Sequence, residues 1–333
     1  MKRFLITFPI FLLLLLAVFY FWGSSSHYDK EKYDEITTYY SPKPLLSDTL
    51  KVMSYNIGYL SGMTNNLAVE RTEDLFLKNL KRSRKILRKH QPDFIGFQEI
   101  DFGSDRSYDY HQLNRIANPL KYPMGAMAVN WDKSYVPFPY WPIEHHFGRM
   151  LSGQAVLSKA QVLSNELIVL DPPVNAPFYY KAFYLDRLIQ IVKVEVQEKE
   201  LIIMNVHLEA FDRETREQQA EYLLQVFEQY TKDYPVLLIG DFNSRPVYAT
   251  DIDEPEKTTQ LFMDQENIGE AISKEDYLSN ESKYFTFDTA DPYERLDYIF
   301  YNKDKIEKIE GDVLREAGDI SDHLPVWMSF RLK

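Results

Sequence analysis

An aspartate and an asparagine stand two positions apart at the end of an apolar segment, Leu237–Asn243, whose sequence is LLIGDFN. The apolar run predicts a buried strand that ends where Asp241 and Asn243 reach the edge of a sheet. Side chains at positions i and i+2 of a strand point to the same face. A carboxylate and an amide held in this way can orient and deprotonate a water molecule while they contact a phosphoryl oxygen. A simple turn, in which Asp and Asn are also favoured, is the alternative interpretation.

The same arrangement recurs along the chain. The helical spacing of apolar residues in Val69–His90 predicts a crossover helix, which would bring the strands on either side of it to one edge of a sheet. A second predicted helix, Arg213–Thr231, precedes the Asp241 strand. Near the C-terminus, Asp297 begins an apolar segment, and Asp322 and His323 precede the last one. Three further predicted strands end in a polar residue of a type common in active sites, namely Asn56, Glu99 and His207.

In this order, the motifs resemble those of the endonuclease/exonuclease/phosphatase superfamily. That group includes DNase I-like nucleases, neutral sphingomyelinases and inositol-polyphosphate 5-phosphatases. The resemblance spans residues 50–333 and rests on six motifs. They are SYNI with Asn56, FQE with Glu99, NVHLE with His207, GDFNS with Asp241 and Asn243, RLDYIF with Asp297, and SDHLPV with Asp322 and His323.

The resemblance implies a four-layer α/β sandwich, in which two mixed β-sheets pack face to face and are flanked by helices. It also implies a divalent-metal phosphoesterase with its site at the shared rim of the sheets. The implied metal-binding residues are Glu99, with Asn56 beside it and Asp322 nearby. The implied catalytic residues are the water-orienting pair Asp241 and Asn243, the phosphate-flanking histidines His207 and His323, and Asp297, which would support His323.

One residue departs from the pattern of the resemblance. Some nuclease members carry an acid two residues after the position of Asn56, where this chain has Gly58. A second mode of metal binding is therefore not expected. The oxygen-rich set around Glu99 suits Mg²⁺, or Mn²⁺ in its place. Zinc fits less well, because the chain has no cysteine and no His-x-x-x-His spacing. The His145-His146 pair lacks a second matching pair, so we expect it to be structural, with a role facing the substrate as the alternative.

The N-terminus has a different character from the rest of the chain. Lys2 and Arg3 precede Phe4–Trp22, an apolar run of 19 residues, which is close to the length needed to cross a bilayer. Acidic residues follow it, so the charge bias places the catalytic domain outside the cytoplasm. Cleavage near Ser26 would instead release a secreted protein. We therefore predict a transmembrane or signal helix in residues 1–23, a tether in 24–49 and one catalytic domain in 50–333.

The charge balance bears on the substrate. The net charge is −12, and outside the N-terminal segment 36 basic and 50 acidic residues leave −14. Proteins that bind long nucleic acids use a basic face, so this balance disfavours them. The proline-rich aromatic loop Val136–Pro142 is typical of a membrane interface or of a rigid structural loop. Asp101–Ser107 resembles a pattern of sphingomyelinase-like and other membrane-associated members of the superfamily.

Three functions remain open from the sequence. The first is a monomeric, membrane-tethered, Mg²⁺-dependent phosphodiesterase acting on a phospholipid or a small organic phosphodiester. The second is an extracytoplasmic DNase I-like nuclease, with nucleic acid as its partner. The third is a non-catalytic binding module on the same fold. It is disfavoured because a decayed site should have lost at least one of the matched catalytic residues.

Overall fold

The computed structural model describes residues 2–250 and 256–333, with side chains from residue 7 onward. The helices in these residues are α1 (Lys2–Gly23), α2 (Glu73–His90), α3 (Gln112–Leu120), α4 (Phe178–Phe183), α5 (Arg213–Thr231), α6 (Lys257–Met263) and α7 (Lys274–Ser279). The strands are β1 (Ile36–Thr38), β2 (Leu50–Asn56), β3 (Phe94–Asp101), β4 (Met124–Val136), β5 (Gly148–Ser158), β6 (Gln161–Val169), β7 (Leu188–Val196), β8 (Lys199–His207), β9 (Val236–Asp241), β10 (Ile268–Glu270), β11 (Asp297–Asn302), β12 (Ile306–Val313) and β13 (Val326–Leu332).

The described strands form two mixed sheets. One has seven strands in the order β1-β4-β5-β3-β2-β13-β12, and the other has six in the order β10-β11-β9-β8-β7-β6. The pairs β2–β3 and β8–β9 are parallel, and the other pairs are antiparallel. Each parallel pair is joined through a helix, α2 or α5, as a right-handed crossover requires a long connection. These two crossovers bring the carboxyl ends of four strands to one rim.

The hydrophobic core has three layers of contact. Apolar side chains of both sheets, such as Val52 and Ile239, meet in a central cluster. The outer face of the seven-stranded sheet packs against Phe76 of α2 and Ile116 of α3. The outer face of the six-stranded sheet packs against α5 and α6 through residues such as Leu223. Helices therefore flank two facing sheets, which confirms the predicted α/β sandwich.

Local signals explain where the crossover helix α2 begins and ends. The sequence predicts a helix from Val69, but the helix begins at Glu73, because the Thr72 side chain accepts a hydrogen bond from the Leu75 amide and caps it. Acidic residues occupy its first turn and basic residues its last, in agreement with the helix dipole. The helix ends at His90, and Gln91 adopts a left-handed conformation with φ of 47°.

A polar network crosses the space between the sheets directly below the rim. Asn205 is fully buried, and its side chain accepts a hydrogen bond of 2.6 Å from Gln98 and donates one of 3.1 Å to Gln190. Its carbonyl oxygen accepts a bond of 2.8 Å from Gln154. Buried polar groups of this kind are costly unless they are paired. Because these groups pair across both sheets, the network fixes how the sheets align beneath the site.

The N-terminal segment packs against the α/β sandwich. Phe19 lies 5.8 Å from Tyr135 and 6.2 Å from Phe183 between ring centroids, and Tyr20 lies 5.7 Å from Phe178. These rings join the end of α1 to β4 and α4. The predicted basic pair at positions 2 and 3 lies outside the described side chains. In the part of the chain that the structure describes, no helix combines the length and the apolar character that a bilayer span requires.

The predicted tether, residues 24–49, also contacts the sheet. The backbone amides of His27 and Tyr28 each donate a hydrogen bond of 3.0 Å to the carboxylate of Asp132. Strand β1 then pairs with β4 in antiparallel register. These contacts fix the point at which α1 leaves the domain.

Candidate active site

The ends of the central strands meet at one rim of the sandwich. Asn56 is the last residue of β2, His207 of β8 and Asp241 of β9, whereas Asp297 is the first residue of β11. His207 and Asp297 both pair with Asp241 across the six-stranded sheet. Glu99 lies in β3, the parallel neighbour of β2. The topology thus brings together polar residues that are far apart in the sequence.

Two backbone irregularities shape this rim. Glu99 has φ of 51°, and the pairing of β3 with β5 shifts between Phe97 and Ile100. Such a bulge re-aims a side chain, and positive φ is strained for a residue other than glycine. Gly240, with φ of 155°, precedes Asp241, and a Cβ there would lie only 2.1 Å from the Val206 carbonyl oxygen. Only glycine therefore lets β9 approach β8 this closely.

Asn56 links the two carboxylates at the centre of the site. It is fully buried, and its Nδ2 donates hydrogen bonds of 2.9 Å to Asp241 Oδ2 and 3.3 Å to Glu99 Oε1. Its Oδ1 accepts a bond of 3.1 Å from the backbone amide of Gly58, which fixes the orientation of the amide. Asn56 therefore holds Glu99 and Asp241 at a set separation.

Two histidines flank Asp241. His323 Nε2 lies 3.7 Å from Asp241 Oδ2, and His207 Nε2 lies 3.5 Å from the same atom. His323 Nδ1 lies 2.9 Å from Asp297 Oδ2, so Asp297 fixes the orientation of this ring. His207 Nε2 also lies 3.9 Å from Glu99 Oε1. The structure therefore brings together all five of these predicted residues.

The two histidines differ in charge. Although burial opposes protonation of His323, Asp297 and Asp241 raise its pKa well above the ordinary value. Burial, Arg187 and His323 together lower the pKa of His207 well below it. These opposite shifts favour an imidazolium at His323 and a neutral imidazole at His207. A protonated ring can donate to a phosphate oxygen from either nitrogen, whereas a neutral ring has one donor and one acceptor.

Asn243 lies in the site, but it is not held on a continuous strand as the sequence predicts. Strand β9 ends at Asp241, and Asn243 follows it in a turn with φ of 49°. Its backbone amide donates a hydrogen bond of 2.9 Å to Asp241 Oδ1, and its side chain donates one of 3.0 Å to the Leu208 carbonyl oxygen. The alternation expected from a continuous strand therefore does not apply. Asn243 lines the cavity and holds Asp241 through its backbone.

Glu99 and Asp322 form a second pair of carboxylates. Burial and the neighbouring Asp322 raise the pKa of Glu99 to about 7, and burial also raises that of Asp322. Asn65, which the sequence analysis did not identify, donates hydrogen bonds of 2.8 Å to Glu99 Oε2 and 3.1 Å to Asp322 Oδ2. Two partly buried, mutually repelling carboxylates with oxygen donors around them fit a hard divalent cation.

A second group of potential ligands lies beside this pair. Asp241, Asp297 and His323 each offer a ligand atom within 4.8 Å of the others, and all three are buried. We favour Glu99 and Asp322 for the cation, because Asp297 is already paired with a histidine that carries a positive charge. The described side chains that donate hydrogen bonds to Glu99 and Asp322 are neutral, namely the amides of Asn65 and Asn56 and the hydroxyl of Ser321.

Arg187 is a cation of the site that was not predicted from the sequence. Its side chain is only 4% exposed and lines the cavity. Its Nη2 donates a hydrogen bond of 3.0 Å to Tyr184, and its Nε lies 3.7 Å from Glu209 Oε2. Among the described residues, neither Nε nor Nη1 has a hydrogen-bond partner. The available signal was an arginine directly before the apolar strand β7, which pairs antiparallel with β8 next to His207.

A large cavity of about 1410 Å³ opens over these residues. Its polar floor includes Asn65, Glu99, Arg187, His207, Asp241, Asn243, Asp322 and His323 but not Asn56 or Asp297, and its walls are largely aromatic. Those walls include Trp131, Phe138, Tyr140, Phe147, Tyr179, Tyr180, Phe183, Tyr184 and Phe211. The predicted loop Val136–Pro142 therefore forms part of the wall. His145 and His146 lie outside the lining, and His146 Nδ1 is 2.8 Å from the Tyr135 hydroxyl, which fits the structural role we expected.

Known proteins share this fold. The endonuclease/exonuclease/phosphatase family protein of Beutenbergia cavernae DSM 12333 matches with a TM-score of 0.62 and 19% identity, over 86% of this chain and 72% of its own. The human Nocturnin catalytic domain with bound sulfate anion has a TM-score of 0.58 and 20% identity, over 90% and 98%. Humanized TDP2 from D. rerio has a TM-score of 0.56 and 17% identity, over 86% and 100%.

The sequence itself settles the family. No curated protein matches the chain. The family model described as Endonuclease/Exonuclease/phosphatase family matches residues 53–323, which is most of the chain and includes every predicted site residue. The chain therefore belongs to the endonuclease/exonuclease/phosphatase family of metal-dependent phosphoric ester hydrolases.

Proposed function

We propose that this chain is a membrane-tethered, Mg²⁺-dependent phosphodiesterase that hydrolyses a phospholipid or a small organic phosphodiester. The observation that carries this proposal is the composition of the cavity lining. Eight of the lining residues are Asp or Glu, and only three are Arg. A polyanion would be repelled by such a lining, whereas one phosphodiester could be held by its few cations. The aromatic walls suit an apolar or ring-containing substituent.

The residues divide the work of hydrolysis between them. Asp241, held by Asn56 and by the Asn243 backbone, orients a water molecule and takes its proton. The water oxygen then bonds to phosphorus as the ester P–O bond breaks. His323, kept protonated by Asp297, donates to a phosphate oxygen, and Arg187 is placed to neutralise charge at the same centre.

Glu99 and Asp322, with Asn56 beside them, are the residues that would hold the cation. When bound, Mg²⁺ supplies Lewis-acid stabilisation of the negative charge that builds on the phosphate and the departing oxygen. Mn²⁺ prefers the same oxygen ligands and should replace it. We propose that the protein acts as a monomer.

The membrane part of the proposal rests on α1. The run Phe4–Trp22 is apolar, and the described side chains of α1 are largely exposed, for example Phe8 at 56% and Leu13 at 65%. Exposed apolar surface of this extent calls for a partner. Further exposed aromatic residues surround the cavity mouth, among them Tyr140 at 73% and Phe211 at 78%. We propose that α1 is a retained anchor and that the domain lies outside the cytoplasm.

An extracytoplasmic nuclease is the second candidate. The observation that favours it is a structural neighbour of this chain, D. rerio TDP2 complexed with single strand DNA product, with a TM-score of 0.56 and 17% identity. A short single-stranded end would present few phosphates to the acidic wall, and its bases could stack on the aromatic side chains. This candidate predicts cleavage of oligonucleotides without a requirement for a bilayer.

A substrate panel separates the two candidates. The full chain in detergent micelles, with Mg²⁺, would be incubated with phospholipid vesicles, glycerophosphodiesters, inositol phosphates, RNA and single- and double-stranded DNA. We expect turnover of a phospholipid or a small phosphodiester, absent in His323→Ala and in EDTA. Rapid cleavage of DNA or RNA, with no turnover of any lipid or small diester, would establish the nuclease instead.

A further inference from the structure

Asn65 occupies a central place in the proposed metal site. Its side chain is nearly buried, with the residue 9% exposed. Its Nδ2 lies between the two carboxylates, 2.8 Å from Glu99 Oε2 and 3.1 and 3.3 Å from the two oxygens of Asp322. It therefore contacts both acids that would hold the cation, and it does so from a loop rather than from a strand end.

Gly58 lies beside Asn65 and Asp322 and presents no side chain to them. A Cβ at Gly58 would lie 2.8 Å from Asp322 Oδ1, 2.7 Å from Ser321 Oγ and 3.5 Å from Asn65 Nδ2. A side chain at position 58 would therefore point at Asp322 and at the Asn65 amide. Gly58 also has φ of 51°, which favours glycine. Residue 58 therefore supplies no polar group beside Asp322, and the Asn65 amide supplies one instead.

Hydrogen bonds hold the Asn65 loop in place. The Asn65 amide donates to the Gly62 carbonyl oxygen at 3.3 Å, and Gly62 forms a bridge with Ser321, next to Asp322. The Thr64 hydroxyl donates to the Ser61 carbonyl oxygen at 2.7 Å. Arg71 donates to the Thr64 carbonyl oxygen, also at 2.7 Å. The Asn65 side chain is thus placed by its own loop and by the segment that carries Asp322.

We propose that Asn65 is a neutral oxygen ligand of the divalent cation. A primary amide carries a donor and an acceptor on the same carbon, and a half-turn about the Cβ–Cγ bond exchanges them. Without a cation, the NH₂ group faces the two carboxylates and offsets their repulsion. With a cation between the acids, the oxygen faces it, as hard cations require. The inference rests on the proposed metal site at Glu99 and Asp322.

Binding of Mn²⁺ alone tests this role without any substrate. Isothermal titration calorimetry and Mn²⁺ electron paramagnetic resonance would compare the full chain in micelles with Asn65→Leu, Asn65→Asp and the control Asn118→Ala, an exposed asparagine of α3. Asn65→Leu keeps the size but has no oxygen, so we expect Mn²⁺ affinity to fall by about tenfold or more, the scale for supporting groups in metal sites. The control should bind as the unchanged chain does.

Asn65→Asp shows whether Asn65 binds the cation or only donates hydrogen bonds to the carboxylates. An aspartate can supply an oxygen but no hydrogen bond to Glu99 or Asp322. We expect it to retain Mn²⁺ binding and to lower the melting temperature in EDTA, because three carboxylates then repel one another. If Asn65→Leu folds and binds Mn²⁺ with unchanged affinity, or if Asn65→Asp loses binding as Asn65→Leu does, the ligand role is wrong. Glu99→Gln distinguishes an error in the ligand role of Asn65 from an error in the metal site. If this variant binds Mn²⁺ with unchanged affinity, the metal site itself is wrong.

Discussion

The imidazole of His323 is held between two acids, with Nδ1 2.9 Å from Asp297 Oδ2 and Nε2 3.7 Å from Asp241 Oδ2. Both acids raise the pKa of His323, so its proton is retained to a higher pH than that of an ordinary histidine. Asp297→Asn removes one of these charges and keeps the shape of the side chain. We expect kcat/KM to fall about 100-fold at pH 8, the scale for a general acid or a charged contact.

The pH profile of Asp297→Asn shows in which direction Asp297 shifts the pKa of His323. Because the raised pKa keeps His323 protonated, the alkaline limb of the profile should move to lower pH in Asp297→Asn. The comparison would use Asp264→Asn, at an exposed position after α6, as the matched control. An alkaline limb that stays in place would show that Asp297 does not govern the charge of His323.

His207 and His323 should both be needed for turnover, although their charges differ. His207→Ala and His323→Ala should each lower the rate by about two powers of ten or more, with native-like circular dichroism. His145→Ala, which changes a histidine outside the cavity lining, should have little effect. NMR titration of the ring protons should show His323 charged and His207 neutral at pH 7. Near-normal turnover of either active-site variant would mark that histidine as structural.

Glu99 should make the metal-free protein less stable as the pH rises. Its pKa is raised from 4.5 to about 7, so the folded state keeps a proton that the unfolded state has lost. This contribution to stability is complete below pH 4.5 and is gone once the pH has passed about 7. Glu99→Gln removes the titration. In EDTA its melting temperature should therefore exceed that of the unchanged chain by about 3 °C or more at pH 8, with no gain at pH 4.5.

Two comparisons make the Glu99 experiment specific. Glu221→Gln, at an exposed position of α5, should not change the pH dependence. Mg²⁺ or Mn²⁺ should raise the melting temperature of the unchanged chain at pH 8 but not that of Glu99→Gln, because only the former binds the cation in its folded state. If the two proteins have equal melting curves across the pH range, the pairing of Glu99 with Asp322 does not raise the pKa of Glu99, and this assignment is wrong.

The proposed topology can be tested by fusion and fractionation. A phosphatase reporter that works only outside the cytoplasm, fused after Lys333, should be active, because the positive charges precede the apolar run. The protein should remain in the membrane fraction after a high-salt wash. An inactive reporter would reverse the orientation, and release into the soluble fraction would indicate cleavage near Ser26.

The aromatic wall should matter more for a bilayer substrate than for a soluble one. Replacing Phe138, Tyr140 and Trp141 together with Ser should lower activity on vesicles more than on a soluble phosphodiester with the same head group. Tyr222→Ser, an exposed aromatic residue of α5, is the control. Moderate salt should have little effect on either substrate, unlike a nuclease that gains affinity from many phosphate contacts. An equal loss on both substrates would show that the loop shapes the cavity and does not contact a bilayer.

The strands of the site could be predicted because each is a short apolar run that ends in a polar residue. The runs that end in Asn56 and His207 form strands with those last residues, and their meeting follows from the two crossover connections. The roles of the residues came from the resemblance and not from the pattern. Neither source could indicate the bulge at Glu99 or the early end of β9, because both depend on the pairing of neighbouring strands.

Asn65 and Arg187 could not be predicted for a different reason. Asn65 lies in a loop whose path is set by contacts with Ser321, more than 250 positions further along the chain. Arg187 precedes a strand and would ordinarily be a solvated edge residue. It is buried because the nearby Tyr184 and the more distant Glu209, which follows β8, close over it. Such contacts depend on tertiary packing, which local spacing does not encode.

The contacts of α1 with β4 and α4 have a mechanical consequence. Phe19 and Tyr20 pack on Phe183 and Phe178, and Phe183 also lines the cavity. The helix and the cavity mouth therefore move together as one rigid body. Lengthening the chain between residues 40 and 49 would not extend the reach of the enzyme, since β1 and its neighbours are already fastened to the sheet. Only weaker packing of these aromatic rings would let the cavity mouth tilt relative to α1.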